Sequence, residues 1–148
     1  MKRHLLLAAL AAACLAAGCG STAEKNDYVQ SINEAQTALT KSLSTVNPAG
    51  DPAQIAADLD EGGKKIDSAV ADLKAITPPD DAEHAHSRMI KGLTAIADTF
   101  REGADAARAK DPEKMVQVLG GIQTSAGVKE LEAAQKELMA SGYKFEES

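Results

Sequence analysis

The side chains best equipped for chemistry gather at one place in the chain: Asp80, Asp81, Glu83, His84 and His86, five carboxylates and imidazoles within seven positions. These groups are ligands for Zn²⁺ or Cu²⁺. Glu83 and His86 have the i, i+3 spacing that puts a carboxylate and an imidazole on one helix face, as in di-iron bundles. A di-iron centre needs that pair twice plus two more glutamates, and the third His of the chain is His4, so such a centre is excluded. His84 and His86 are two apart and point to different faces of a helix, which keeps them off one metal unless the first turn opens. The plainer reading is a solvated helix start whose acidic residues suit the positive end of the helix dipole. Glu83, His84 and His86 stand as weak metal candidates, and no cofactor is expected.

Catalytic sets fare no better. With so few histidines and no free thiol expected, neither a Ser-His-Asp nor a Cys-His arrangement can be assembled. The Gly-Gly pairs lie within helical periodicity, so neither is a phosphate-cradling loop after a strand. Paired carboxylates for glycoside chemistry need a cleft, and the aromatic platforms for sugar are scarce. Tyr28, Phe100, Tyr143 and Phe145 are the four aromatics, and there is no Trp. The chain is not expected to be an enzyme.

The other reactive type is Cys, at 14 and 19. The N-terminus has a basic start (Lys2, Arg3), an apolar stretch from Leu5 to Ala17, and the small residues Ala16-Ala17-Gly18 ahead of Cys19. As a helix the apolar stretch rises about 20 Å, short of the roughly 30 Å hydrocarbon core, so it reads as an export signal and not a permanent span. The order of small residues, Cys19 and then Gly20-Ser21-Thr22-Ala23 resembles the bacterial lipoprotein signal. The family pattern has Leu three residues before the Cys, where this chain has Ala16 and carries its Leu at 15. The resemblance implies cleavage after Gly18 and a lipid on the thiol of Cys19, which becomes the first residue of the mature chain. Cys14 leaves with the signal, so no thiol remains for a disulfide, a redox pair or a metal cage. A plain secreted protein with a free Cys19 is the alternative. Two or three acyl chains anchor stably where one holds only marginally. The expected organisation is a signal peptide at 1–18, a lipidated Cys and flexible tether at 19–26 reaching at most about 25 Å, and a folded domain at 27–148.

Loss of the signal also moves the charge. The formal net charge is -6, from 16 basic and 22 acidic residues. Without Lys2 and Arg3 it is about -8, a sign that disfavours nucleic acid and electrostatic adhesion to acidic lipid. The partners expected are the membrane, through the lipid on Cys19, and an envelope protein.

The elements that must position these residues are helices. The chain is 44% apolar and 3% aromatic, a composition suited to close-packed helices and poor in strand formers. Asp27 with Gln30 predicts a capping box for a first helix carrying Tyr28, Ile32, Ala35, Leu39, Leu43 and Val46, ending at Asn47-Pro48. Asp51-Pro52 opens a second helix with Ile55, Leu59, Gly62, Ile66, Ala69 or Val70, Leu73 and Ile76 on one face, stopped by Pro78-Pro79. Asp80 or Asp81 opens a third, with Met89, Leu93, Ile96, Phe100, Gly103 and Ala107. Asp111-Pro112 opens a fourth after an almost loopless reversal. Its stripe of Met115, Leu119, Ile122 and Ala126 shifts phase near Gly127 to Val128, Leu131, Ala134 or Gln135, and Leu138, and Ser141-Gly142-Tyr143 closes it as a Schellman cap. The prediction is an all-α, antiparallel up-down-up-down four-helix bundle. Gly62-Gly63 and Gly120-Gly121 are expected mid-helix, for close packing, as a simple kink, or to loosen two helices for a partner or ligand.

Bundle shape, export, the Thr77-Pro78-Pro79 link and the spacing of Phe100 and Gly103 are similar to the periplasmic b-type four-helix cytochromes, over about the last 70 residues. In that family a Met early in the first helix and a His in the last hold the haem. This chain has neither, so the similarity implies the architecture without the cofactor. The functional expectation is an extracytoplasmic lipoprotein on the outer face of the cytoplasmic membrane, or on an outer membrane, that binds or scaffolds. Solute or metal binding in the envelope, and a purely steric spacer, are the alternatives.

Overall fold

A computed structural model of the protein describes residues 22–43 and 51–145. They form five α-helices and no strand: α1 (Thr22–Leu43), α2 (Pro52–Ala75), α3 (Glu83–Arg108), α4 (Pro112–Gly120) and α5 (Ala126–Ala140). In sequence α4 and α5 fill the place of one rod, so four helical rods pack as the periodicity predicts. Cys19 and the Asn47-Pro48 stop lie outside the described residues.

The two Asp-Pro starts form as expected. Asp51 Oδ1 accepts from the Ala53 amide at 3.0 Å and Asp111 Oδ1 from the Lys114 amide at 2.9 Å, with Pro52 and Pro112 in the first turn. At the far end of α5 the Schellman cap is complete: Gly142 has φ +85°, its amide donates to Met139 O at 3.1 Å, and the Tyr143 amide donates to Leu138 O at 3.0 Å. The same pattern ends α3, with Lys110 at φ 54° in the left-handed position and the Asp111 amide bonded to Ala106 O at 3.0 Å. Asp111 therefore closes one helix with its backbone and opens the next with its side chain.

Three local expectations are corrected. The Asp27 capping box does not form, because α1 already starts at Thr22 and Asp27 lies inside it; Gln30 Nε2 donates to Glu34 instead, at 3.0 Å. Residues 22–26, expected to be tether, are thus helical, and Lys25 among them is held by distant partners. Nor is the fourth rod continuous. Gly120 ends α4, a 3-10 turn covers Ile122–Thr124, and Ser125 caps α5 by accepting from the Val128 amide at 3.2 Å. Gly120-Gly121 is consequently a helix end, and the phase shift marks a break. Ser125→Ala is expected to lower stability by about 1 kcal/mol, read as a lower urea midpoint at constant slope. An unchanged midpoint would mean that the glycines alone set the break.

Packing follows the predicted stripes. Ile55, Leu59, Ile66, Val70 and Leu73 of α2 are buried with Leu93, Ile96 and Phe100 of α3 and Ala134 and Leu138 of α5. On the outer seam of α2 and α3, Arg108 pairs with Asp60 and with Asp105, and Arg101 pairs with Asp67 and with Asp98, which fixes the two helices antiparallel. The clamps recur every seven residues. At half-exposed positions each is worth at most about 1 kcal/mol, so they fix register more than stability. Gly63, in the middle of α2, faces Ala97, Phe100 and Arg101 across that seam, which favours the close-packing reading of the first glycine pair.

Candidate functional site

The polar cluster predicted at the start of α3 divides on folding. Asp80 to Ala82 form a 3-10 turn, and Glu83 begins α3. His84 stays at the surface, its Nδ1 2.7 Å from Glu137 Oε1 of α5. His86 turns the other way and is 6% exposed, a correction to its expected place on a solvated helix start. The cause is periodicity: 86, 89, 93, 96 and 100 form one stripe, and His86 is its first member. Glu83 is exposed. The three metal candidates are not brought together, and among the described residues no three His, Cys, Asp or Glu side chains gather as a metal would need.

What the fold does assemble is a polar and aromatic knot at the end of the bundle where α1 and α3 begin and where α2 and α5 end. Tyr28 of α1 and Tyr143 after α5 are each 3% exposed. Their rings meet edge to face with centroids 5.7 Å apart, and Tyr28 also leans on the His86 ring at 5.8 Å. The Tyr28 hydroxyl lies 3.0 Å from His86 Nδ1, and the Leu73 backbone hydrogen-bonds the same ring from α2. With Nε2 carrying the ring hydrogen, Nδ1 accepts from the Tyr28 hydroxyl.

The rim of the knot is charged. Lys25 Nζ donates to Asp81 Oδ2 at 2.5 Å and to the Ser141 carbonyl at 3.0 Å, while lying 4.7 Å from the centre of the Tyr143 ring. The Tyr143 hydroxyl donates to Asp81 Oδ1 at 2.6 Å. Asp81 thus joins α1 to the C-terminal segment, and the hydrogen bonds from Lys25 and then Tyr143 hold its carboxyl below the usual range. Burial pushes the Tyr28 phenol up, and burial with the Asp81 hydrogen bond does the same to Tyr143. Burial pushes the His86 imidazole down, opposed in part by the Leu73 hydrogen bond. At neutral pH the inner groups are uncharged, and neither phenol is poised as a base.

Beside the knot, α3 and α5 carry a second charged row. Glu130 takes Lys91 at 2.8 Å and Arg88 at 3.0 Å, and Lys91 first, then Arg88, lowers its pKa. Arg88 Nε is buried without a hydrogen bond, 3.8 Å from Glu137 Oε2. A shallow open groove at the start of α4, lined by Glu102, Asp111, Glu113, Lys114, Gln117 and Val118, is polar and solvated.

The sequence reading placed Asp81 and His86 in a polar helix start, with His86 a weak metal candidate, and missed their partners. Tyr28 and Tyr143 were legible as a core position and a helix cap; that both reach one point required the topology. Lys25 carried no signal, since it stood in the presumed tether. None of the described helices is long and apolar enough to cross a membrane. Family models, curated proteins and solved structures all fail to match this chain.

Proposed function

We propose that the protein is an extracytoplasmic lipoprotein, anchored through Cys19, whose helical bundle has a non-catalytic binding or scaffolding role. The observation that carries this reading is the order of basic start, apolar stretch, small residues and Cys19. The fold is compatible with it: α1 begins at Thr22, two residues beyond Gly20, so an acyl chain on Cys19 would hold the knot end of the bundle close to the bilayer. Binding is favoured over catalysis because the buried polar groups of the knot satisfy one another and leave no reactive side chain directed at a cleft.

Labelling of the expressing cell with a radioactive or clickable fatty acid tests the anchor. Wild type is expected to incorporate label and to sediment with membranes, and Cys19→Ala to lose both. Equal labelling of the two chains overturns the reading.

A further inference from the structure

One of the groups on which α1 rests is an uncharged imidazole. Among its described side chains, α1 buries Tyr28 and Ile32, and Lys25 and Tyr28 bond to distant elements at the knot. His86 sits beneath Tyr28, and the groups that face it among the described residues are uncharged. From α1 comes the Tyr28 phenol, from α2 the Leu73 backbone, and from the C-terminal segment the Tyr143 ring packed on Tyr28. The ionised groups of the knot, Asp81 and Lys25, are paired with each other and with Tyr143. On its own helix, Glu83 is exposed and His84 is engaged with Glu137. Among the described residues, no carboxylate hydrogen-bonds or pairs with His86 to compensate a proton there.

We infer that α1 is an acid-released arm, latched over His86 at neutral pH and undocked when that ring takes up a proton. A charged imidazole under Tyr28 has lost its water and gained no counter-ion. Undocking α1 restores its hydration while leaving α2 and α3 assembled, since Leu59, Ile66 and Phe100 are buried along their seam and the Arg101–Asp67 and Arg108–Asp60 pairs hold it. The sign follows from the direction of the shift. A His held below its ordinary value near 6.5 binds its proton more readily undocked, so docking weakens as pH falls below about 6.5 and goes on weakening down to the docked value. The carboxylates of the knot do not contribute in that window, because Asp81 titrates below its own ordinary value. The arm is independent of whether Cys19 carries lipid.

Hydrogen–deuterium exchange on the full chain in detergent tests this. After correction for intrinsic exchange, α1 amides from Asp27 onward are expected to exchange several-fold faster, up to about eightfold, at pH 5.5 than at pH 7.0, with α2 and α3 amides unchanged. His84→Gln is expected to keep the response and His86→Gln to abolish it. An NMR titration of the wild-type imidazoles needs no variant, and is expected to find His86 titrating below its ordinary value together with α1 shifts. Equal α1 protection at both pH values, a response that survives His86→Gln, loss of protection in all helices together, or a His86 that titrates at its ordinary value would each overturn the inference.

Discussion

Gly92→Ala is expected to destabilise the protein by at least about 2 kcal/mol, toward the upper part of the range for overpacking. A Cβ built on Gly92 would lie 2.7 Å from the Gly127 carbonyl oxygen and 2.9 Å from Leu131 Cγ. The approach is reciprocal, since a Cβ on Gly127 would lie 2.7 Å from the Gly92 carbonyl and 2.9 Å from Ile96 Cγ1. A side chain in the way can change rotamer; a carbonyl in a helix cannot, so α3 and α5 must part and the contacts of Leu131 and Ile96 loosen with them. Helix propensity works in the opposite direction, favouring Ala by about 1 kcal/mol in a helix interior, and is outweighed. Gly120 provides the contrast: it ends α4 with nothing within 4 Å of a built Cβ, so Gly120→Ala is expected to be neutral or stabilising by a few tenths to about 1 kcal/mol. Urea unfolding followed by circular dichroism reads both. A Gly92→Ala midpoint equal to wild type would show that the two backbones are not in contact at this crossing.

The same crossing marks how far the sequence could be read. Gly92 carried no signal of its own, standing between Met89 and Leu93 in a stripe that only asks for small or apolar residues. Gly127 was noticed as a change of phase, yet its purpose is the partner helix 35 positions away, and single-chain periodicity does not register partners. The Asp-Pro starts and the Ser-Gly-Tyr stop were legible because each is a local device, closed by backbone amides bonding within five residues. The break at Gly121 to Ser125 was half legible. A shift of the apolar phase by two residues cannot be accommodated by an unbroken 3.6-residue helix, and Ser125 is a good cap, but paired glycines inside a periodic stripe read equally as a kink.

For the candidate site the limit was of a different kind. The spacing of Glu83 and His86 suggested one face and one ligand set, whereas the fold assigns Glu83 to solvent, His84 to Glu137 and His86 to the core. Extending the stripe of Phe100, Ile96, Leu93 and Met89 back by three residues lands on His86, so its burial was available from pattern alone. Its partner was not. Tyr28 is 58 positions away and Tyr143 is 57, and only the antiparallel return of the helices brings the three rings to one end.

Tyr28 bears the largest expected effect within that knot. Tyr28→Ala removes a buried ring that touches Tyr143 and His86 and is expected to cost about 3–5 kcal/mol, the range for truncating a large core aromatic. Tyr28→Phe separates packing from polarity. It keeps the ring and its edge-to-face contact but deprives His86 Nδ1 of its hydroxyl, leaving a buried polar atom unpaired at a cost of about 1–3 kcal/mol. The decisive measurement is the cycle with His86→Phe. If the hydroxyl–imidazole bond is the polar link between α1 and α3, the double variant loses less stability than the two single variants together, because neither partner remains to be left unsatisfied. Strict additivity in urea unfolding at pH 7 would show that Tyr28 and His86 are held separately by their packing and that the 3.0 Å contact between them carries no stability.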